Sequence, residues 1–198
     1  MDLRFAADCN LGTLAKWLRI LGYDTHYERG IADPDFLRRA AGEGRVILTR
    51  KRGLARLSFE GRLIVVKADH VRSQLGEVLG ALSLEPDPAK RMTRCLGCNA
   101  VLEEIPKIEA QGRVPVYAYL KCARFKGCPA CGKIYWPGTH RRRIEEFLSD
   151  LRHPSLGIRK RKTSLYCRLV SLYGRSLWTR ERIARPIRPP EGRRRSRP

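Results

Sequence analysis

The sequence predicts an α/β fold in which a parallel sheet is flanked by helices, with a four-cysteine module and a basic C-terminal tail after it. Three observations carry that expectation. Short apolar runs alternate with helix-period segments from residue 3 to residue 84. Two C-x-x-C pairs then follow, and the last quarter of the chain is almost free of acids.

The elements read in order as β-α-β-α-β-α-β-α. "LRFAAD" (3–8) is a strand that ends on Asp8. "LGTLAKWLRILGY" places Leu11, Leu14, Ala15, Leu18 and Leu21 at helical spacing, with Lys16 and Arg19 on the polar side and Gly22 as the stop. "DTHYE" (24–28) alternates as a strand does. Asp33 is an N-cap with Pro34 at the first helical position of "PDFLRRAAGEG". "RVILT" (45–49) is a β-branched strand, "GLARL" about one helical turn, "RLIVVKAD" (62–69) a fourth strand and "VRSQLGEVLGALSL" (71–84) the last helix. Such alternation with short connections predicts a parallel sheet covered by helices on both faces. The near-continuous apolarity of "RVILT" and "LIVV" predicts strands covered on both faces.

"LEPDPAK" (84–90) breaks this pattern with two prolines and reads as a linker. The expected organisation is therefore an α/β domain over 1–86, a cysteine module with a C-terminal helix over 91–152, and an arginine-rich tail over 153–198, its last dozen residues disordered by composition. Within 91–138, "VPVYAYL" and "KIYW" read as short strands. "THRRRIEEFLSDLR" (139–152) reads as a helix capped by Thr139, with Ile144, Phe147, Leu148 and Leu151 on one face.

Lys and Arg number 41 against 20 acids, a formal net charge of +21 and a pI near 10.4. Residues 151–198 hold 15 of those cations and two acids, so the tail carries more than half the excess. Such a balance is the electrostatic footprint of a nucleic-acid binder, RNA or DNA, since both offer the same phosphates. The N-terminus has no long apolar run of a signal peptide, and no stretch reaches 18 uninterrupted apolar residues, so neither secretion nor a membrane span is expected. Seven cysteines, an odd count, suit a reducing cytoplasm and metal ligation better than disulfides.

Cys95 with Cys98 and Cys128 with Cys131 form two C-x-x-C knuckles separated by 29 residues. Each knuckle presents two thiolates on one side of a tight turn, and two together build a tetrahedral S4 site. Four thiolates close the coordination sphere, so the ion expected is a structural Zn2+. Cys122 is a bystander, Cys9 and Cys167 are ordinary small side chains, and His140 is a helix-cap neighbour more than a ligand. Asp8, Asp33 and Asp69 stand where strands end or helices begin. Singly, Asp33 reads as a cap and Asp69 as a turn residue. Together, at the carboxyl edge of a sheet, three carboxylates suit Mg2+ or Mn2+ and phosphodiester hydrolysis. Asp24, Glu28 and Asp35 are weaker candidates, Asp24 because it begins its strand.

"FAADCNLGTLAKWLRILGYDT", "ILTRKRGL", "RCLGCNAVLEEI" and "CPACGKIYWPGTHRRRIEEFL" resemble the Mut-seven C-terminal RNase domain family, over roughly residues 1–150. That family joins a PIN-like α/β nuclease domain to a zinc ribbon. The resemblance implies a PIN-like fold and a metal-dependent ribonuclease acting on RNA phosphodiesters. It places Asp8 as the first-strand acid, Asp33 as the acid opening helix two and Asp69 as the acid after strand four. It makes Cys95, Cys98, Cys128 and Cys131 the zinc ligands, and sets Lys16, Arg19 and Arg50 in basic positions facing RNA phosphates. One position departs. Family members read T-R-D-R-G-L after strand three, and here Lys51 replaces the acid between Arg50 and Arg52. That exchange predicts weaker divalent-ion binding, and it opens an alternative in which Arg50, Lys51 and Arg52 grip phosphates without cleavage. The tail aromatics Tyr166, Tyr173 and Trp178 read as packing residues.

Overall fold

The computed structural model describes residues 3–30, 33–57, 60–138 and 144–149. The tail, Cys167 and His140 lie outside them. The strands β1 (Arg4–Ala7), β2 (Asp24–Tyr27), β3 (Val46–Thr49) and β4 (Leu63–Val65) form a parallel sheet in the order β2-β1-β3-β4. Phe5 pairs with Thr25 on one side and Val46 on the other, and Thr49 pairs with Val65. The helices α1 (Gly12–Ile20), α2 (Pro34–Gly42) and α3 (Val71–Ala81) connect or follow the strands.

The central strands are buried because neighbours cover them on every side, as in the all-buried "VILT" of β3. The expectation for β4 needs correcting. Among the described residues it is an edge strand paired only with β3, and Leu63, Ile64 and Val65 are half-buried although equally apolar. Period-two alternation divides the sheet's faces. Ala6 and Ile47 pack with Phe36, Leu37, Ala40 and Leu54 beneath α2 and the 3-10 turn Arg52–Arg56. Full burial of each Leu, Ile or Phe of this kind contributes about 1.5–3 kcal/mol. Asp33 caps α2 as expected, its Oδ1 accepting from Phe36 N at 2.8 Å.

The cysteine module holds an antiparallel sheet, β5 (Glu103–Ile105), β6 (Phe125–Gly127) and β7 (Ile134–Tyr135), in that order. "VPVYAYL" is not the expected strand. It forms helix α4 (Val116–Lys121), because Pro115 fixes the entry and its carbonyl accepts from Ala118 N and Tyr119 N. The buried residues there, Val114 and Ala118, are four apart rather than two. They pack with Ala110, Phe125 and Ile134 in a small separate core. Residues 144–149 form helix α5. Phe147 stacks on Trp17 of α1 with ring centroids 3.9 Å apart, and the Arg72 guanidinium of α3 lies 5.0 Å over the Phe147 ring. At Gly22 the backbone turns with φ +93°, and a Cβ there would lie 2.2 Å from the carbonyl oxygen of Lys90, so only glycine lets the end of the linker approach the end of α1 this closely.

Candidate metal centre and the carboxyl edge of the sheet

The two C-x-x-C turns repeat one backbone design. Cys95 N donates to Ala100 O and Asn99 N to Cys95 O; in the same sense, Cys128 N donates to Lys133 O and Gly132 N to Cys128 O. The residue after each second cysteine is left-handed, Asn99 at φ 73° and Gly132 at φ +69°. Asn and Gly are the residues that tolerate this, which is why they stand there. The sulfurs of Cys95 and Cys131 are 3.5 Å apart and those of Cys98 and Cys128 3.3 Å apart. All four Sγ atoms lie within 4.8 Å of one another, against about 3.8 Å expected between sulfurs around a tetrahedral Zn–S of about 2.3 Å. Four cysteines gathered this closely can hold a structural metal such as zinc, and the soft, all-sulfur donor set fits it. Cys122 is outside the group, its Sγ turned to Pro137 O.

Tyr135 closes the site from beneath. Its Oη lies 3.1 Å from Cys95 Sγ and accepts from Leu96 N at 3.1 Å. Burial pushes the Cys95 thiol up, but hydrogen bonds from Tyr135 and from the backbone N–H groups of Cys98 and Gly97 outweigh it and bring Cys95 down to about 6.

The carboxyl ends of β1, β3 and β4 lie side by side, since the three strands are parallel neighbours. Asp8 follows β1 and is completely buried. Its Oδ1 accepts from Asn10 N at 2.9 Å; its Oδ2 accepts from Thr49 Oγ1 at 2.6 Å and from Arg50 N at 3.2 Å. Thr49 Oγ1 in turn accepts from Lys51 N at 3.0 Å. The first-strand acid is thus locked to the β3 corner that carries Arg50, Lys51 and Arg52. Asp69, beyond β4, is exposed and ion-paired with Arg50 NH2. The Arg50 hydrogen bond holds its carboxyl below the usual carboxylate range. Gln74 Nε2 donates to Ala68 O and Asp69 O, and the Glu77 carboxylate accepts from Lys67 N and Ala68 N, so α3 fixes the loop that presents Asp69. Asp33 opens α2 after β2, at the same edge. Among the described residues only the four cysteines come close enough to share one ion; Asp8, Asp33 and Asp69 do not.

A model of the Mut7-C RNAse domain matches residues 3–148, about three quarters of the chain. The chain belongs to that family. No curated protein and no solved structure matches it.

Within this Mut7-C RNAse domain the basic positions divide. Arg50 and Arg52 are at the carboxyl edge, with Arg52 exposed and Lys51 half-buried. Arg19 is instead turned inward and is only 5% exposed. Its Nε and NH2 donate to Thr25 O at 3.0 and 2.8 Å, and its NH1 donates to Leu96 O and Gly97 O at 2.9 and 3.2 Å. Arg19 therefore joins α1, β2 and the first cysteine knuckle. Lys16, one turn earlier, is half-buried, and burial, then Arg19 and Lys133, lower its pKa. Arg19 looks polar in the helical pattern because the acceptors it meets are carbonyls of residues 96 and 97, which helical spacing cannot reveal.

Asn99 completes the latch. Its Oδ1 accepts from Thr25 N at 3.0 Å and its Nδ2 donates to Asp24 Oδ1 at 2.8 Å. Asp24 also accepts from Arg45 NH1 at 2.6 Å. Burial raises the Asp24 carboxyl, yet Arg45 and Asn99 outweigh it and leave the pKa lowered. A carboxyl lowered by folding adds stability that is complete above its unfolded pKa, about 3.9, and is lost as pH falls through that value towards the folded one. Asp24→Asn is expected to show a smaller drop in melting temperature between neutral and acid pH than the parent, measured by circular dichroism. A parallel drop in both would remove Asp24 from the acid response. Nothing in the spacing points to Tyr135, Asn99, Gln74 or Glu77; only the position of Asn99 directly after a C-x-x-C carried a signal, for a left-handed turn.

Proposed function

We propose that the chain engages RNA at the carboxyl edge of the parallel sheet as a PIN-like ribonuclease whose hydrolysis is strongly reduced by Lys51. The observation that carries this reading is Asp8. A fully buried carboxylate held by three donors at the end of a central strand is costly to build, and in a ribonuclease family it is the natural anchor of the reacting edge. On this reading residues 1–86 act on RNA, residues 91–152 form the zinc ribbon that supports them, and 153–198 add sequence-independent phosphate contacts.

Mg2+ or Mn2+ would supply charge neutralisation and an activated water. The edge as built fits such an ion poorly. Lys51 stands where an acid would complete the donors, Asp69 is paired with Arg50, and the three aspartates do not converge. The residues' own contributions are clearer. Arg50, Lys51 and Arg52 bind phosphate oxygens, and Asp8, through Arg50 N and Thr49, orients the corner that carries them. Lys51 and the Arg50–Asp69 pair also favour the second reading, RNA binding with no cleavage.

The test is labelled single-stranded RNA incubated with the purified chain, with and without Mn2+, alongside Asp8→Asn. Tight binding with slow, Mn2+-stimulated cleavage that disappears in Asp8→Asn is expected. Binding without any cleavage selects the second reading, and a chain that does not bind RNA contradicts both.

A further inference from the structure

Helix α4 leaves a ridge of large side chains in solvent. Val116 is 74% exposed, Tyr117 68% and Leu120 69%. They are three of the six large hydrophobics exposed among the described residues, all on one six-residue helix. Val116 and Leu120 are four apart, and Tyr117 is four from exposed Lys121, so the four form one continuous face. The opposite face is firmly seated, because Ala118 is buried with Val114 and Phe125, and Tyr119 packs on the same core. Lys107 Nζ lies 5.0 Å over the Tyr119 ring at the helix's flank.

Charge identifies the occupant. From residue 110 to residue 144 the sequence contains no Asp or Glu and eight Lys or Arg. Arg113 before α4, Lys121 at its end and Arg124 after it are all exposed. A protein partner would have to bring acids to this ridge as well as an apolar face. A single strand of nucleic acid carries both chemistries at every step, with bases to stack on Tyr117 and Leu120 and phosphates for the cations.

We infer that the outer face of α4 is a stacking platform for single-stranded RNA, with Tyr117 under a base and Lys121, Arg113 and Arg124 along the backbone. This rests on the proposed RNA function for the choice of polymer, but not on cleavage or on the aspartate edge. Binding at this face is sequence-tolerant, because any base presents a π-face to Tyr117.

The experiment is fluorescence anisotropy with a labelled single-stranded oligoribonucleotide in zinc-replete buffer without Mg2+ or Mn2+, using the full chain. Tyr117→Ala is expected to weaken binding about tenfold, Tyr117→Phe to restore it, and Lys121→Gln to lower the salt dependence by roughly one phosphate contact. Ultraviolet cross-linking should place RNA on Tyr117. The same pattern in a parent chain that cleaves no RNA with Mn2+ would uphold the platform while the nuclease reading fails. Parental affinity in a Tyr117→Ala/Leu120→Ala variant would overturn the platform, as would a cross-link map that avoids α4; either outcome would leave the ridge as a protein-docking face.

Discussion

Lys51→Asp is expected to raise Mn2+-dependent cleavage of RNA by about a hundredfold, roughly 3 kcal/mol of barrier. The residue follows β3 at the corner locked to Asp8, and its backbone N–H is held by Thr49 Oγ1. A unit charge pair about 4 Å apart interacts by about 1–4 kcal/mol between bulk-water and surface-like dielectrics, and a divalent ion roughly doubles each value. Exchanging ammonium for carboxylate removes a repulsion and adds an attraction, so a gain of this size requires only that part of the difference survives screening. The aspartate also competes for Arg50, which frees Asp69 from its ion pair. The backbone needs no adjustment, since Lys51 is extended at φ −83° and ψ 105°. Cleavage rates on labelled RNA at one fixed, subsaturating Mn2+ concentration check the prediction. A rate equal to that of the parent would mean that Lys51 is not what limits hydrolysis.

Removal of zinc is expected to unfold the cysteine module and to loosen the β2 edge of the sheet with it. The module's own core consists of Ala110, Val114, Ala118, Phe125 and Ile134 with a few half-buried neighbours, too little apolar surface to hold so many residues in order. Structural zinc supplies on the order of 10 kcal/mol to such modules at neutral pH. The first knuckle is also one half of a latch. Arg19 donates to Leu96 O and Gly97 O, Asn99 bonds to Thr25 and Asp24, and Met92 N donates to Ile20 O. If the knuckle unfolds, a buried guanidinium loses two of its three acceptors, a loss of about 1–3 kcal/mol for unpaired buried groups. Cys128→Ser, or chelation of the parent, is therefore expected to lower the melting temperature by more than about 10 °C. Metal analysis should give one zinc per chain, absent in the variant. An unchanged melting temperature after chelation would contradict both the metal assignment and the coupling.

Where periodicity and caps speak directly, the sequence was sufficient. The 3.6-residue spacing of Leu11, Leu14, Leu18 and Leu21 marks α1, Asp33-Pro34 marks the start of α2, and the alternation of β and α segments implies the parallel sheet. The two C-x-x-C pairs meet as their spacing implies, because that short motif nearly determines its own geometry. Failures came where tertiary context decides. "LIVV" is as apolar as β3, but strand order alone makes it an edge. "VPVYAYL" alternates well enough for a strand, yet Pro115 and a core on one side only make it a helix. Arg19 sits on the polar stripe of α1 for a reason found about 80 residues away, in the carbonyls of the first cysteine knuckle. The aspartates fall at the edge that topology assigns them, while the salt bridge of Asp69 and the buried bonds of Asp8 depend on contacts between distant segments.

The central proposal is that Lys51 keeps a divalent ion from the carboxyl edge beside Asp8. Calorimetric titration of Mn2+ into zinc-loaded parent, Lys51→Asp and Lys51→Asp/Asp8→Asn tests it without reference to activity. One Mn2+ bound by Lys51→Asp, with weak or no binding in the parent and in the double variant, is the predicted result. Tight binding of one Mn2+ by the parent, or equal binding by the single and double variants, would contradict it.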